Sequence, residues 1–344
     1  MHIKRVLVFM ALAFGLLLPA CRHSTTDDAS TTGATFVPAS AVRGYIPYEQ
    51  ADALTADDDL TGDMDISSTG EFSVSETTAG IVLSGEYDEV APDGAEVAPP
   101  WYDMALTFDY DDQGYLSSQV LSTGDYAQTT RLVYTFSDQG TFTRKSVFFA
   151  DNDDDLLVGL IVTAAADGDA ELVRWYNYFG ENITDPDHDV TGDEAIGSCR
   201  VYRDDDGNMI QQVLYDPSEP DEYEDWNVTA INLYEYDGEG RLTKMSMHEF
   251  GGGFDGDFDS LSPESASYRR EYRGLYDVKG NLKYWVQVEP GDDTCEVFMV
   301  TWEEQEFSTT AARFLGSLHW FDMRPFEGYG SRSLYLLIFP SLVA

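Results

Sequence analysis

The chain has 344 residues, with 63 Asp or Glu against 20 Lys or Arg, so its formal net charge is -43. Such a chain lacks the clustered basic residues that neutralise phosphates, which excludes nucleic acid as a partner and excludes docking on anionic lipid by charge alone. Because 43% of the residues are hydrophobic and 13% are aromatic, the chain is still expected to bury a sizeable core.

The first 20 residues have the pattern of a secretory signal peptide. Lys4 and Arg5 form a basic start, and residues 6–18 form an apolar run that is short for a transmembrane helix. Leu18, Ala20 and Cys21 then resemble the lipobox of bacterial lipoproteins, in which the cysteine becomes the lipidated first residue of the mature chain. An ordinary signal peptide followed by a chance cysteine is the alternative interpretation.

The lipobox resemblance implies that Cys21 carries several acyl chains, palmitate among them, and that the membrane is a partner through this anchor. Arg22 follows the cysteine, whereas an Asp there would resemble an inner-membrane retention signal. We therefore expect the bacterial outer membrane, at its periplasmic face or at the cell surface. Residues 21–43 are rich in Ser, Thr, Ala and Asp and are predicted to form a flexible tether.

Alternating apolar and polar residues predict β-strands in the rest of the chain. Residues 44–100 are predicted to form an N-terminal β segment that ends near Pro99 and Pro100, and residues 101–344 a β-hairpin repeat domain. Residues 295–302 form an alternating strand, and residues 333–339 are the candidate for the strand that closes the sheet. The best helix candidate is residues 309–318, which follow cap-type residues.

Five segments of the repeat domain share an order of apolar strand, acidic turn, glycine and second strand. Asp at the start of such a turn can bond the backbone two residues on, and glycine accepts the positive φ needed where the chain re-enters the ladder. A degenerate sixth copy centres on Asp167 and Gly168. The five turn glycines are Gly114, Gly140, Gly207, Gly240 and Gly280.

The Tyr-Asp pattern, which is complete in the copies at 233–242 and 272–282, resembles the YD or Rhs-type repeats and related hairpin-repeat lipoproteins of bacteria, over roughly residues 104–288. The resemblance implies consecutive antiparallel hairpins laid side by side. Such hairpins form a structural scaffold, and the resemblance implies no particular reaction. We predict an all-β fold with a large twisted or curved sheet and few or no helices. Chance use of Asp-x-x-Gly turns is the alternative.

The two remaining cysteines, Cys199 and Cys295, form a possible disulfide, since the expected compartment is oxidising. Two isolated buried thiols are the alternative.

The acidic loops are candidate metal sites, because alternate carboxylates in a loop can converge on Ca2+. An EF-hand loop requires glycine at the sixth position and Glu at the twelfth, and none of the three runs has either residue at its place. Solvated loops are the alternative interpretation. A related run spans residues 57–65. The candidate ligands are Asp151, Asp153, Asp155, Asp185, Asp187, Asp189, Asp255, Asp257 and Asp259.

No catalytic residue is predicted, because the chain lacks paired metal-binding histidines, a nucleophile elbow and a phosphate-binding loop. The leading hypothesis is a lipid-anchored cell-envelope lipoprotein with a non-enzymatic binding or structural β-repeat domain. The alternatives are a carbohydrate-binding or carbohydrate-active domain and a Ca2+-dependent adhesin-like module. No cofactor other than Ca2+ is expected, and the protein or glycan partner is not specified by the sequence.

Overall fold

A computed structural model describes residues 32–78, 80–89, 104–110, 116–123, 126–136, 142–150, 156–178, 195, 197–205, 207–215, 228–254 and 265–317. These residues form sixteen strands and two short helices, α1 (Tyr48–Ala53) and α2 (Thr309–Ser317). The strands are β1 (Thr32–Pro47), β2 (Asp65–Thr77), β3 (Gly80–Glu89), β4 (Met104–Tyr110), β5 (Leu116–Thr123), β6 (Tyr126–Phe136), β7 (Phe142–Ala150), β8 (Leu156–Asp167), β9 (Ala170–Tyr178), β10 (Gly197–Arg203), β11 (Met209–Tyr215), β12 (Val228–Tyr236), β13 (Leu242–Phe254), β14 (Tyr268–Tyr276), β15 (Leu282–Val288) and β16 (Thr294–Ser308).

Each strand pairs antiparallel with the next strand in the chain, which confirms the predicted all-β fold of consecutive hairpins. The curvature goes further than predicted, because β1 pairs with β2 on one side and with β16 on the other, so the strand order is that of a closed barrel. The predicted helix at residues 309–318 is confirmed as α2, and the Ser308 hydroxyl accepts a hydrogen bond from the Ala311 N–H near its start. The helix α1 was not predicted.

The prediction of a flexible tether is wrong for residues 32–43, which belong to β1. Ladder pairing uses backbone groups that every residue except proline supplies in full, so a Ser/Thr-rich segment can still complete a sheet. Val37 and Ala41 add apolar burial, at 0% and 1% exposure. The strand that closes the sheet is thus β1, while residues 21–31 and 333–339 lie outside the described residues.

The predicted boundary near residue 100 does not divide the sheet. β3 pairs with β4 from Ile81↔Phe108 to Gly85↔Met104, so strands on both sides of the boundary belong to one ladder. Pro99 and Pro100 themselves lie outside the described residues.

The connections alternate between two ends of the sheet. At the end that we call the turn end, seven connections of at most five residues join β2–β3, β4–β5, β6–β7, β8–β9, β10–β11, β12–β13 and β14–β15. The first residue of β1 and the helix α2 are also at the turn end. The opposite end, the loop end, carries the longer connections, such as residues 48–64 and 179–196.

The described turns confirm the predicted hairpin geometry at three of the five repeats. Gly207, Gly240 and Gly280 have φ values of 88°, 77° and 89°. In the β12–β13 turn, the Asp237 N–H donates to the Arg241 carbonyl and the Gly240 N–H donates to the Asp237 carbonyl, each at 3.0 Å. The same pair of bonds recurs in the turns that begin at Asp204 and Asp277. Gly114 and Gly140 lie outside the described residues.

The turn aspartates fix these loops with their carboxylates. Asp237 Oδ1 accepts the N–H groups of Glu239 and Arg241 at 2.9 Å, and Asp237 Oδ2 accepts Arg241 Nε at 2.6 Å. Asp277 receives the equivalent bonds from Lys279 and Asn281. Part of the acidic character of the chain is therefore explained by turn conformation.

Replacing Asp237 with Ala should lower the free energy of unfolding at pH 7 by about 1–2 kcal/mol, because three hydrogen bonds to a part-exposed carboxylate are lost. Burial opposes ionisation of this group, but the hydrogen bonds from Arg241 and Glu239 and the Arg241 charge lower its pKa below the ordinary value. A lowered folded-state pKa stabilises the protein above the unfolded-state value of about 3.9, and this contribution disappears as the pH falls through the folded-state value.

Urea unfolding from pH 7 to pH 2 should therefore show a wild-type advantage over Asp237→Ala that shrinks in acid. Asp205→Ala, an exposed acidic change in the corresponding β10–β11 turn, is the matched control and should have little effect. Equal stability of the Asp237→Ala variant and the wild type at pH 7 would contradict the assignment.

Three aromatic side chains of the described strands bond to the hairpin that precedes them. The Tyr236 hydroxyl donates to the Met209 carbonyl at 2.9 Å, and the Tyr276 hydroxyl donates to the Leu242 carbonyl at 2.8 Å. Trp302 Nε1 makes the equivalent bond to the Leu282 carbonyl at 2.7 Å. In each case the acceptor is the first residue of the return strand of the preceding hairpin, so the Tyr of the Tyr-Asp pair joins successive repeats.

Both faces of β10–β16 bury apolar side chains, such as Val213 and Val286 on one face and Trp285 and Phe298 on the other, but the faces differ in the polar side chains that they carry. One face, which we call the buried face, has Gln212, Trp285 and Phe298 at no more than 1% exposure. The opposite face carries charged side chains such as Glu235, which is 67% exposed, and Lys244. On this opposite face, residues from α1 and the segment after it pack over the β15–β16–β1 region, with Leu60 against the cluster that contains Val286 and Val297.

Candidate functional site

A group of polar side chains meets on the buried face at the loop end. β1 and β15 end there, and β14 and β16 begin there, so side chains from four strands converge. Glu296 lies opposite Tyr45 in the β1–β16 ladder and opposite Gln287 in the β15–β16 ladder. We call this group the rim cluster; its members are Arg43, Tyr45, Arg270, Gln287, Glu289 and Glu296.

An ion pair between Arg43 and Glu296 forms one half of the rim cluster. Glu296 Oε1 lies 2.6 Å from Arg43 Nε and 2.5 Å from Arg43 Nη2, and the two side chains are 14% and 8% exposed. The Arg43 guanidinium also lies 5.8 Å from the centre of the Phe298 ring. Burial, followed by the Glu296 charge, raises the pKa of Tyr45 above its ordinary value, so its hydroxyl remains a hydrogen-bond donor.

A second ion pair, between Arg270 and Glu289, forms the other half. Arg270 Nη2 lies 2.7 Å from Glu289 Oε1, and both side chains are just over one quarter exposed. Gln287 Nε2 donates to the same Glu289 oxygen at 3.0 Å, and Arg270 Nη1 donates to the Tyr272 hydroxyl at 3.2 Å. Burial raises the pKa of Tyr272, so this phenol also stays protonated.

Aromatic rings lie beneath the rim cluster on the same face. The Tyr272 and Trp285 rings stack with centroids 5.9 Å apart and planes 20° from parallel. Gly274 lies opposite Trp285, and a Cβ at this position would come within 2.7 Å of the Leu242 carbonyl oxygen and 3.1 Å of the indole ring. The absence of a side chain at residue 274 therefore makes room for the tryptophan.

Three buried polar atoms in this region have no hydrogen-bond partner among the described residues. They are Trp285 Nε1, Arg270 Nε and Ser68 Oγ. Ser68 lies opposite Arg43 in the β1–β2 ladder. A buried donor without a partner costs about 1–3 kcal/mol, so these atoms mark a place where water or a ligand oxygen would be stabilised.

A separate hydrogen-bond network lies on the buried face in β10–β12. Gln212 Oε1 accepts Asn232 Nδ2 at 3.0 Å and the Tyr234 hydroxyl at 3.3 Å, and Gln212 Nε2 lies 3.4 Å from Cys199 Sγ. Gln212 and Asn232 are 0% and 1% exposed. This network satisfies the side chain of Gln212 inside the sheet packing, whereas Asn232 Oδ1 has no hydrogen-bond partner among the described residues.

The predicted disulfide between Cys199 and Cys295 is wrong. Both cysteines are buried and free. The ladder registers place Cys199 on the buried face of β10, whereas Cys295 lies on the opposite face of β16 with the residues that pack under α1. Burial raises the pKa of the Cys295 thiol, which favours the unreactive protonated form.

The nine candidate Ca2+ ligands, at residues 151–155, 185–189 and 255–259, lie outside the described residues, and Ca2+ binding there stays a prediction. Within the described part of the chain, no group of three or more His, Cys, Asp or Glu side chains could hold a metal ion.

The related acidic run at 57–65 is described, and Lys283 Nζ donates there to the Ala56 and Asp58 carbonyls, each at 2.7 Å. Hydrogen bonds from Thr55 lower the pKa of Asp58, and hydrogen bonds from Thr61 lower the pKa of Asp59. In this segment a lysine ammonium is therefore the cation that the carbonyls bind.

The sequence reasoning missed the rim cluster, because its members are far apart in the chain and match no motif. One signal was available. Arg43 and Glu296 occupy positions where the strand alternation is otherwise apolar or aromatic, with Ala41 and Phe298 two residues away on the same face. A charged residue on the buried side of an alternating strand needs a partner, and here the two residues are each other's partners.

Comparison with known proteins gives no assignment from sequence: no family model and no curated protein matches the chain. A solved porin-like protein from Bacteroides uniformis shares 8% identity over 77% of this chain and 98% of its own, with a TM-score of 0.31. One from Bacteroides vulgatus also shares 8% identity and a TM-score of 0.31, over 58% of this chain and 94% of its own.

A structure of TcdB2-TccC3 without its hypervariable C-terminal region shares 14% identity over 68% of this chain and 12% of its own, with a TM-score of 0.23. Similarities of this size assign neither a family nor a function to the chain. Among the helices of the described ranges, none has the length and apolar character needed to cross a membrane.

Proposed function

We propose that the chain is a lipid-anchored protein of a bacterial cell envelope whose β domain is a non-enzymatic binding or structural module. The N-terminal pattern that ends at Cys21 supports the anchor and the outer-membrane location. The structure of residues 32–317 supports the role of the domain, through two observations that follow.

The observation that carries the proposal is how the repeat uses its polar residues. The turn aspartates Asp204, Asp237 and Asp277 accept hydrogen bonds from their own loops, and Tyr236 and Tyr276 join neighbouring hairpins. Asp and Tyr, which are catalytic residues in many enzymes, therefore stabilise the hairpins in this domain. Such a domain is suited to presenting a fixed surface.

The second observation favours binding over a purely structural role. The rim cluster combines two ion pairs, partly exposed polar groups and stacked aromatic rings at one end of the sheet. A few convergent polar groups beside aromatic rings are typical of ligand recognition. A carbohydrate-binding domain is accordingly the more specific candidate within this proposal.

The anchor is tested by metabolic labelling of the full-length protein in a bacterial host with radiolabelled palmitate. The wild type should incorporate label and sediment with membranes, whereas Cys21→Ala should lose the label and be released into the soluble fraction. Cys199→Ala is the matched control, because it removes a buried thiol and should retain the label. Labelling of Cys21→Ala equal to that of the wild type would refute the proposed anchor.

A further inference from the structure

The chemistry of the rim cluster specifies a class of ligand. The charged side chains in its two ion pairs are balanced, with Arg43 and Arg270 against Glu289 and Glu296. A site for a strongly charged ligand would present an excess of the opposite sign. Because the arginine and glutamate charges balance, the rim cluster offers hydrogen-bond donors and acceptors without favouring a ligand of either charge.

The surroundings disfavour an anion in particular. Asp65 lies opposite Tyr45 and Glu249 lies opposite Tyr268 at the same end of the sheet, and both acidic residues are exposed. The chain as a whole carries a net charge of -43. An anionic ligand would therefore be repelled during its approach, whereas a neutral one would not.

The buried atoms without a hydrogen-bond partner indicate which hydrogen-bonding groups the ligand must carry. Trp285 Nε1 and Arg270 Nε can only donate, so they require acceptor oxygens. The carboxylates of Glu289 and Glu296 already accept from Gln287 and the two arginines, and a carboxylate has lone pairs for further hydroxyl or N–H donors. A hydroxyl accepts and donates at a single atom, and a molecule with several hydroxyls would contact both ion pairs at once.

The aromatic rings add an apolar contact to these polar ones. Tyr268 lies beside Arg270 with its ring centre 5.3 Å from the guanidinium carbon, and Tyr45 is 38% exposed at the rim. Aromatic rings beside hydrogen-bonding side chains suit a molecule that has C–H groups on its faces and hydroxyl groups at its edges. We propose that the rim cluster binds an uncharged polyhydroxylated ligand of the saccharide class, an inference that rests on the proposed binding role and not on the anchor.

The test is isothermal titration calorimetry of the full-length protein in detergent with neutral di- to hexasaccharides of glucose, galactose, mannose and xylose. A sialylated and a sulfated oligosaccharide are included as anionic probes. We expect saturable binding of at least one neutral saccharide and no binding of the anionic ones. Failure of every neutral saccharide to bind, or binding of the anionic probes alone, would overturn the proposal.

Variants locate the site. Glu296→Gln should weaken binding tenfold or more, and Gln287→Leu, a milder change at a partly exposed position, should weaken it at least threefold while leaving the melting temperature nearly unchanged. Glu235→Gln, on the opposite face, is the matched control and should bind as the wild type does. Saccharide binding that survives both rim variants would place the site elsewhere.

Palmitate labelling is independent of these results, so failure of the ligand proposal would leave the anchor intact.

Discussion

Replacing Trp285 with Ala is expected to lower the free energy of unfolding by about 3–5 kcal/mol, the range for deleting a large buried aromatic side chain. The indole ring is 1% exposed, stacks on Tyr272 and fills the space that Gly274 leaves open. Because the rings around it are held by the strand ladders, the cavity left by the mutation should collapse only in part. The measurement is urea unfolding of the full-length protein followed by circular dichroism.

Trp302→Phe is the matched control for this prediction. It preserves an aromatic ring and removes the hydrogen bond to the Leu282 carbonyl, for which the expected loss is about 1 kcal/mol. If Trp285→Ala costs no more than Trp302→Phe, the aromatic packing beneath the rim cluster is not the main contribution of Trp285 to stability.

Replacing Glu296 with Ala should also lower the free energy of unfolding by about 3–5 kcal/mol, because the part-buried Arg43 guanidinium would lose its ion pair with the Glu296 carboxylate. Arg43 is only 14% exposed and its ion pair with Glu296 bridges β1 and β16, the strands that close the sheet. Loss of this ion pair should therefore weaken the pairing of β1 with β16. It is measured by chemical unfolding and by hydrogen exchange of the β1 amides, which should become faster in the variant.

The double variant Arg43→Met with Glu296→Met separates charge from packing. Buried ion pairs can often be exchanged for apolar side chains at little cost, so the double variant should recover most of the stability that Glu296→Ala loses. A double variant less stable than Glu296→Ala would show that the charges themselves hold β1 to β16. The same double variant should lose saccharide binding, since it removes half of the rim cluster.

The sequence predicted the features that depend on local patterns. Gly207, Gly240 and Gly280 were found because a positive φ demands glycine wherever it occurs, and the hairpin order followed from strands that alternate around short acidic turns. The helix α2 was found for the same reason, since its capping residues are adjacent to it. These signals act over a few residues and are visible in one sequence.

The features that the sequence did not predict depend on distant contacts. β1 was assigned to a tether because its side chains are small and polar, yet it pairs with β16, which is more than 240 residues away in the chain. Arg43 and Glu296 are likewise more than 240 residues apart in the chain. The disulfide was inferred from the cysteine count and the compartment, whereas the outcome depended on the faces of β10 and β16 that the cysteines occupy.

The alternation of connections between the two ends gives the domain a direction. Thr32, the first residue of β1, is at the turn end and follows Cys21 by eleven positions, which the chain can extend over up to about 40 Å. β1 itself is sixteen residues long and reaches about 50 Å to the loop end. In the lipid-anchored arrangement proposed above, the short turns would be tethered closest to the bilayer. Arg43, Tyr45 and their partners are then displayed at the far end, where a molecule diffusing in the surrounding water meets them first.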